Sequence, residues 1–238
     1  MKSFFLSLKT TVWILLVLIG LFFIGAYMMP AYRHVFGPMN SLILFEWIAK
    51  IGMRSLWQAW WFFAALAALV LLTINTIVCS IQAIRGRWTR RDVLLRIAPQ
   101  IVHAGFLFIL LAHFLGAGWG YRLSGVMPEG ATTPLPDNQQ LHLAKIRSVV
   151  NEGGYLTDWS ADIILYEGSS YAIAGTLGPN KPVFYRGVGI YLKSIQNRRG
   201  PAAQLMVNKD PGAVWALVGG ILFTLGCVML LVFKWKKS

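Results

Sequence analysis

Four histidines and two cysteines are the side chains of this 238-residue sequence with the strongest claim on metal or redox chemistry. Two of the histidines stand where ionisable groups are rare. His103 and His113 lie in Ile97–Gly120, IAPQIVHAGFLFILLAHFLGAGWG, a stretch of 24 residues without Asp, Glu, Lys or Arg. It is long enough to cross a bilayer as a helix, and an ionisable side chain inside a span points to function by default. A neutral imidazole suits a transition metal, haem iron included. At 1.5 Å and 100° per residue, His103 sits about 9 Å into the helix; His113 follows about 15 Å deeper and roughly 80° round the axis. Two such residues cannot grip one iron from opposite sides. An iron bound by His103 therefore needs its other axial ligand from another helix. The alternative is a structural imidazole, hydrogen-bonded to a neighbouring helix.

The rest of the chain must position that helix. The sequence is 56% hydrophobic with a mean hydropathy of +0.58, too apolar for an ordinary soluble domain. Four apolar stretches predict four membrane-spanning helices: Thr10–Met29, Trp57–Ile84, Ile97–Gly120 and Ala213–Phe233. Lys2 and Lys9, the five arginines of Arg85–Arg96, and Lys234, Lys236 and Lys237 hold ten of the 22 basic residues, against one acid, Asp92. The positive-inside rule puts those segments, and both termini, in the cytoplasm, with 30–56 and 121–210 outside. A formal charge of +13 thus reads as topology with anionic-lipid contact, and a nucleic-acid partner is not needed to explain it. The first apolar stretch has no convincing small-x-small cleavage site and reads as a retained helix.

The cysteines narrow the chemistry. Cys79 and Cys227 both fall in apolar spans, so they predict no external disulfide. Neither C-x-x-C-H nor C-x-x-C occurs, which excludes a covalent c-type cytochrome and a dithiol reductant.

The connecting segments have their own patterns. In 30–56, Leu42, Phe45, Ile48, Ala49 and Met53 approach helical spacing, with Glu46, Lys50 and Arg54 on another face. They predict a helix along the outer membrane surface, and Trp47, Trp57, Trp60 and Trp61 an aromatic belt beside it. Pro30 should stop the first helix, and His34 just beyond it reads as a solvated loop residue. Thr73, Asn75, Thr76 and Ser80 are polar at the cytoplasmic end of the second span and should face other helices. A short basic turn then makes spans two and three an antiparallel hairpin, which brings this polar end near His103. Asn75 is the candidate partner for the imidazole, fixing its tautomer by a hydrogen bond.

Beyond Gly120 the character changes. PEG, PLPDN, NEGG, EGSS, LGPNKP and NRRGP punctuate 121–210, and between them run strand-like segments at 140–150, 160–166, 171–176, 187–195 and 202–207. These predict a small external β-rich, sandwich-like domain between spans three and four. It holds no clustered nucleophile, base or metal-ligand set, and its lone His142 reads as structural. Gly219, Gly220 and Gly226 in the last span permit close helix packing. The organisation expected is 1–120 for three helices with a short outer loop, 121–210 for the β-domain, and 211–238 for the fourth helix and a basic tail.

The order of features resembles the ResB (CcsB-type) proteins of System II cytochrome c maturation. The matching segments are QAWWFFAALAALVLLTINTIVCSI at 58–81, HAGFLFILLAHFLGAGWGYRLSGVMPEG at 103–130, PNKPVFYRGVGIYLKS at 179–194 and KDPGAVWALVGGILFTLG at 209–226. The chain is shorter than many members, and it lacks the tryptophan-rich haem-handling motif of the family's partner, CcsA; the pair Trp60–Trp61 is not that motif. The resemblance implies a non-catalytic subunit in a bacterial cytoplasmic membrane, working with a CcsA-type multi-span protein. Together the two carry haem b outward to apocytochromes with C-x-x-C-H. It also implies that His103 is an axial ligand of an inner-leaflet haem, opposite a histidine of the partner, while His113 is at most a separate site. A second class stays open: a haem-b-bearing or cofactor-free membrane anchor of a respiratory electron-transfer complex. A self-sufficient cytochrome b usually carries histidine pairs on two of its own helices, whereas here span three alone among the spans has histidines.

Overall fold

A computed structural model describes residues 8–85, 93–153, 156–197 and 200–235. Lys2, Arg87, Arg90, Arg91, Lys236 and Lys237, on which the orientation reading leans, lie outside the described residues. The fold divides into two units, Met1–Trp119 with Pro211–Ser238, and Gly120–Asp210.

The first unit is helical. Four helices are long and apolar enough to cross a membrane, over Lys9–Ala31, Leu56–Arg85, Ile97–Trp119 and Ala213–Val232. They belong to α1 (Leu8–Ala31), α4 (Leu56–Arg85), α5 (Val93–Trp119) and α6 (Ala213–Trp235). Charge-free runs of about 20 residues form helices because each backbone polar group is then satisfied within its own segment. Pro30 does not end α1, which runs to Ala31; the lost bond falls in the last turn, where it costs least.

The helices pair through seams that repeat every seven residues. Ala98, Gly105 and Ala112 of α5 face Gly226 and Gly219 of α6 and Gly212 just before it, in antiparallel register. A Cβ on Gly219 would lie 2.8 Å from the Gly105 carbonyl oxygen, and one on Gly226 would lie 3.1 Å from that of Ala98. Gly212 meets the Ala112 carbonyl in the same way. Without a hydrophobic drive between helices in lipid, such backbone approach is what holds them together. Gly220, by contrast, has nothing near it. The pair α1–α4 uses the same period: Asn75 donates to Thr11 Oγ1 at 2.8 Å, Leu18 and Ala68 are both buried, and Gly25 lies under the Trp61 ring. A seven-residue repeat keeps one stripe facing a partner along several turns.

The outer connection corrects the sequence reading. Instead of one surface helix it forms α2 (Arg33–Phe36), α3 (Leu44–Lys50) and two 3-10 turns, Gly37–Asn40 and Gly52–Arg54. Trp47 is 0% exposed and does not join a belt. Its indole N–H donates to the Val35 carbonyl at 2.7 Å, and its ring stacks on Phe36 and meets Phe62 edge-on. Trp61 is buried as well. For Trp47, burial removes the large indole surface from solvent while its one donor stays bonded. Trp57 and Trp60 do stand exposed.

The second unit has eight strands: β1 (Tyr121–Pro128), β2 (Thr132–Leu135), β3 (Gln139–Val150), β4 (Leu156–Glu167), β5 (Ser170–Leu177), β6 (Val183–Tyr185), β7 (Val188–Gln196) and β8 (Ala202–Lys209). They form two antiparallel sheets, ordered β1-β8-β7-β6 and β2-β3-β4-β5. Alternate residues point inward, as period two demands. Ala161, Ile163 and Leu165 of one sheet share a core with Val188, Ile190, Leu192, Ala203, Leu205 and Val207 of the other. Five of the strands fall where strand-like segments were expected; β1, β2 and β6 were not expected. Arg186 and Gly187, with φ of 45° and 80°, turn β6 into β7, a geometry that matches strand twist. Arg186 is held there by Glu167 at 2.7 Å.

Candidate functional site

His103 lies on α5 ten residues past its start, at the same end of the helices as Ser80, five residues before the end of α4. Ser80 Oγ and His103 Nδ1 are 2.9 Å apart, within hydrogen-bond distance. Counted at 100° per residue, His103 is about 140–180° from Ala98, Gly105 and Ala112. It therefore stands on the side of α5 turned away from α6. Phe106, one turn on, packs into the α1–α4 cluster. The imidazole is thus a polar bridge between the two helix pairs.

Asn75 is not the group that meets the ring. It is five residues from Ser80, roughly 140° round α4, and its amide bonds Thr11 of α1 instead. Asn75 is 2% exposed and its Oδ1 has no partner among the described residues. Thr73 and Thr76 turn their hydroxyls back onto the carbonyls of Leu69 and Leu72, both at 2.8 Å. The hydroxyl that reaches the imidazole is the one a reading of polar residues by proximity passes over. Its signal was rotational phase on α4.

His113 is exposed on α5, some 15 Å along the axis from His103, and the two are not brought together. His34 is exposed on α2, with its ring against Tyr32. His142 sits on β3, opposite Thr132 in the sheet register, with Nδ1 3.0 Å from Thr132 Oγ1. Among the described residues no group of three or more His, Cys, Asp or Glu side chains converges as a metal site.

His103 would fit as a single protein ligand to a haem iron. The Nδ1 edge of the ring is engaged, and Nε2 has no hydrogen-bond partner among the described residues. Gln100, one turn away on the same side of α5, has a buried Oε1 that is also unpartnered. A ring nitrogen without a hydrogen-bond partner is what a neutral imidazole offers to a metal ion such as haem iron. Sequence reading had not singled out Gln100.

In the β unit the Tyr121 hydroxyl is buried without a partner among the described residues. Burial, and after it the charge of Asp137, pushes its phenol above the ordinary tyrosine value. Lys209 pairs with that Asp137 at 2.5 Å.

No family model matches the sequence. Among curated proteins, the chain is 26% identical over 153 residues to the cytochrome c biogenesis protein CcsB of Thermosynechococcus vestitus, covering 56% of this chain and 35% of that protein. It is 26% identical over 145 residues to the CcsB of Synechococcus sp. strain RCC307, covering 54% of this chain and 33% of that one. The matched region thus spans about a third of the length of these curated relatives. A solved structure of the cytochrome c haem lyase CcmF aligns with a TM-score of 0.44 at 14% identity, over 69% of this chain and 29% of that one. Over about half its length, then, the chain is similar in sequence to cytochrome c biogenesis proteins named CcsB.

Proposed function

We propose that this chain is a membrane subunit of cytochrome c biogenesis that holds haem b at a seam with a CcsA-type partner and passes it outward for attachment to apocytochrome c. The observation that carries the reading is His103: one imidazole in a span, its Nδ1 engaged and its Nε2 bare, on the side of α5 away from α6. Similarity to the CcsB proteins supplies the context. Haem iron, when bound, supplies the Lewis-acidic centre that a neutral imidazole ligates. The chain's own part is to hold the ring at a fixed depth. The seam of Ala98, Gly105 and Ala112 against α6 fixes the rotation of α5, and the contact with Ser80 fixes the ring. The bacterial cytoplasmic membrane is the location, with both termini and 85–96 inside. The β unit, outside, docks the apocytochrome or the partner's external loops, and chemistry is left to the partner.

The test is the complex purified with its CcsA-type partner. His103→Ala lowers co-purified haem several-fold and lowers holocytochrome yield; added imidazole restores part of the loss by filling the vacated position. His113→Ala leaves haem content unchanged. Full haem and full maturation in a His103→Ala chain that still accumulates in the membrane would make the histidine structural. Reporter fusions at Trp88 and Gly168 should report opposite compartments.

A further inference from the structure

We propose that Ser80 sets the tautomer of His103, accepting the Nδ1 proton and leaving the Nε2 lone pair bare toward the haem; this rests on the reading of His103 as a haem ligand. The 2.9 Å contact allows two arrangements. In one, the serine hydroxyl donates to Nδ1 and the ring proton sits on Nε2. That places an N–H inside a span with no acceptor among the described residues, and orphaned donors in hydrocarbon are costly. It also blocks the nitrogen a metal would take. In the other, Nδ1–H donates to Ser80 Oγ. The serine hydroxyl then keeps its own proton to turn toward its helix's backbone, as helical hydroxyls ordinarily do and as those of Thr73 and Thr76 do on this same helix. No ring N–H is then orphaned, and what is left over on the ring is a bare lone pair.

Ser80 is in this sense a positioning residue. It belongs to α4, and through it to the α1–α4 pair, while His103 belongs to α5. The contact therefore ties the ring's orientation to the packing of two helix pairs. A hydrogen bond accepted from the ring N–H also makes the imidazole a stronger electron donor, which favours the ferric state of a bound iron.

Histidine tautomers are read directly by solid-state NMR. The full chain, labelled with 15N-histidine, haem-free and reconstituted in lipid bilayers, is compared with His103→Gln; the difference spectrum isolates His103. Wild type should show Nδ1 protonated and Nε2 bare. Ser80→Thr should keep that state, and its near-isostere Ser80→Val should move the proton to Nε2. A wild-type ring protonated at Nε2 overturns the proposal, and that measurement stands even if the valine chain fails to accumulate. In the complex with its partner, Ser80→Val should retain haem but raise its reduction potential, with Ser80→Thr restoring it. An unchanged potential in Ser80→Val counts against the role. Retention of full haem by His103→Gln would instead sink the ligand reading while leaving the tautomer result intact.

Discussion

Placing one methyl group on Gly105 tests the seam that orients α5. An ideal Cβ there lies against the Phe223 backbone nitrogen, its nearest neighbour, with the Gly219 carbonyl oxygen at 2.7 Å and Phe223 Cα at 2.8 Å. Ordinary contact begins near 3.4 Å, so the two helices must part by about 1 Å, and backbone atoms cannot rotate away as a flexible side chain would. Overpacking of this kind costs about 1–3 kcal/mol. Alanine returns up to ~1 kcal/mol through its better helix propensity. Gly105→Ala should therefore lose roughly 1–2 kcal/mol of helix-bundle stability. Gly220→Ala is the matched control, because nothing stands within 4 Å of its Cβ position; it should be neutral or slightly stabilising. Titration with SDS in bicelles, followed by tryptophan fluorescence, measures both. Equal stability of Gly105→Ala and wild type, or an equal loss in Gly220→Ala, would refute backbone contact along this seam.

Trp47→Phe keeps an aromatic side chain, though a smaller one, and leaves the buried Val35 carbonyl without its donor; the lost bond alone should cost about 1–3 kcal/mol in the same titration. Asn75→Leu removes the bond to Thr11 and should loosen α1 from α4 by about 1 kcal/mol or less, with co-purified haem unchanged; a haem loss matching that of His103→Ala would show that Asn75 acts on the site. Tyr121→Phe discards a buried hydroxyl that has no partner among the described residues, so it should be neutral or stabilising at pH 7. Because the folded phenol is raised above its unfolded value of about 10, its contribution is complete below pH ~10 and is lost as pH climbs through the folded value. Proteolysis of the β unit at rising pH should therefore accelerate less in Tyr121→Phe than in wild type.

The spans were legible because hydrocarbon imposes a crude filter: some 20 residues without charge leave little choice. The central strands β3, β4, β7 and β8 were legible too, since their inward residues alternate along the chain. Others could not be read locally. β1, YRLSGVMP, carries an arginine and a glycine and becomes a strand only by pairing with β8, far along the sequence. β2 contains Pro134, and β6 is three residues long. The burial of Trp47 depends on Phe36 and Phe62 closing over it, which composition does not announce. At the candidate site, the sequence placed a polar helix end near His103 but not its rotation; choosing Ser80 over Asn75 takes the phase of α4 about its axis. The glycines of α6 were visible as small residues. Their partners Ala98, Gly105 and Ala112 needed the same seven-residue count applied to a second helix.

The pairing of β1 with β8 has a consequence for how such a chain can change over time. Tyr121 and Lys209 are cross-strand partners, so the polypeptide leaves the helical unit and comes back to it with its two threads about 5 Å apart. The Gly212–Ala112 approach sets the chain just ahead of α6 against the backbone of α5, about two turns before α5 ends at Trp119. An insert whose entry and exit coincide imposes no distance on its host, and lengthening it adds little closure entropy, about 0.6 kcal/mol per doubling. The segment between Gly120 and Asp210 is therefore free to grow, shrink or be exchanged as a cassette while α5 and α6 keep their register. Selection on whatever the insert grips can proceed without retuning the membrane helices, and a short glycine-rich bridge in its place should leave the α5–α6 hairpin assembled.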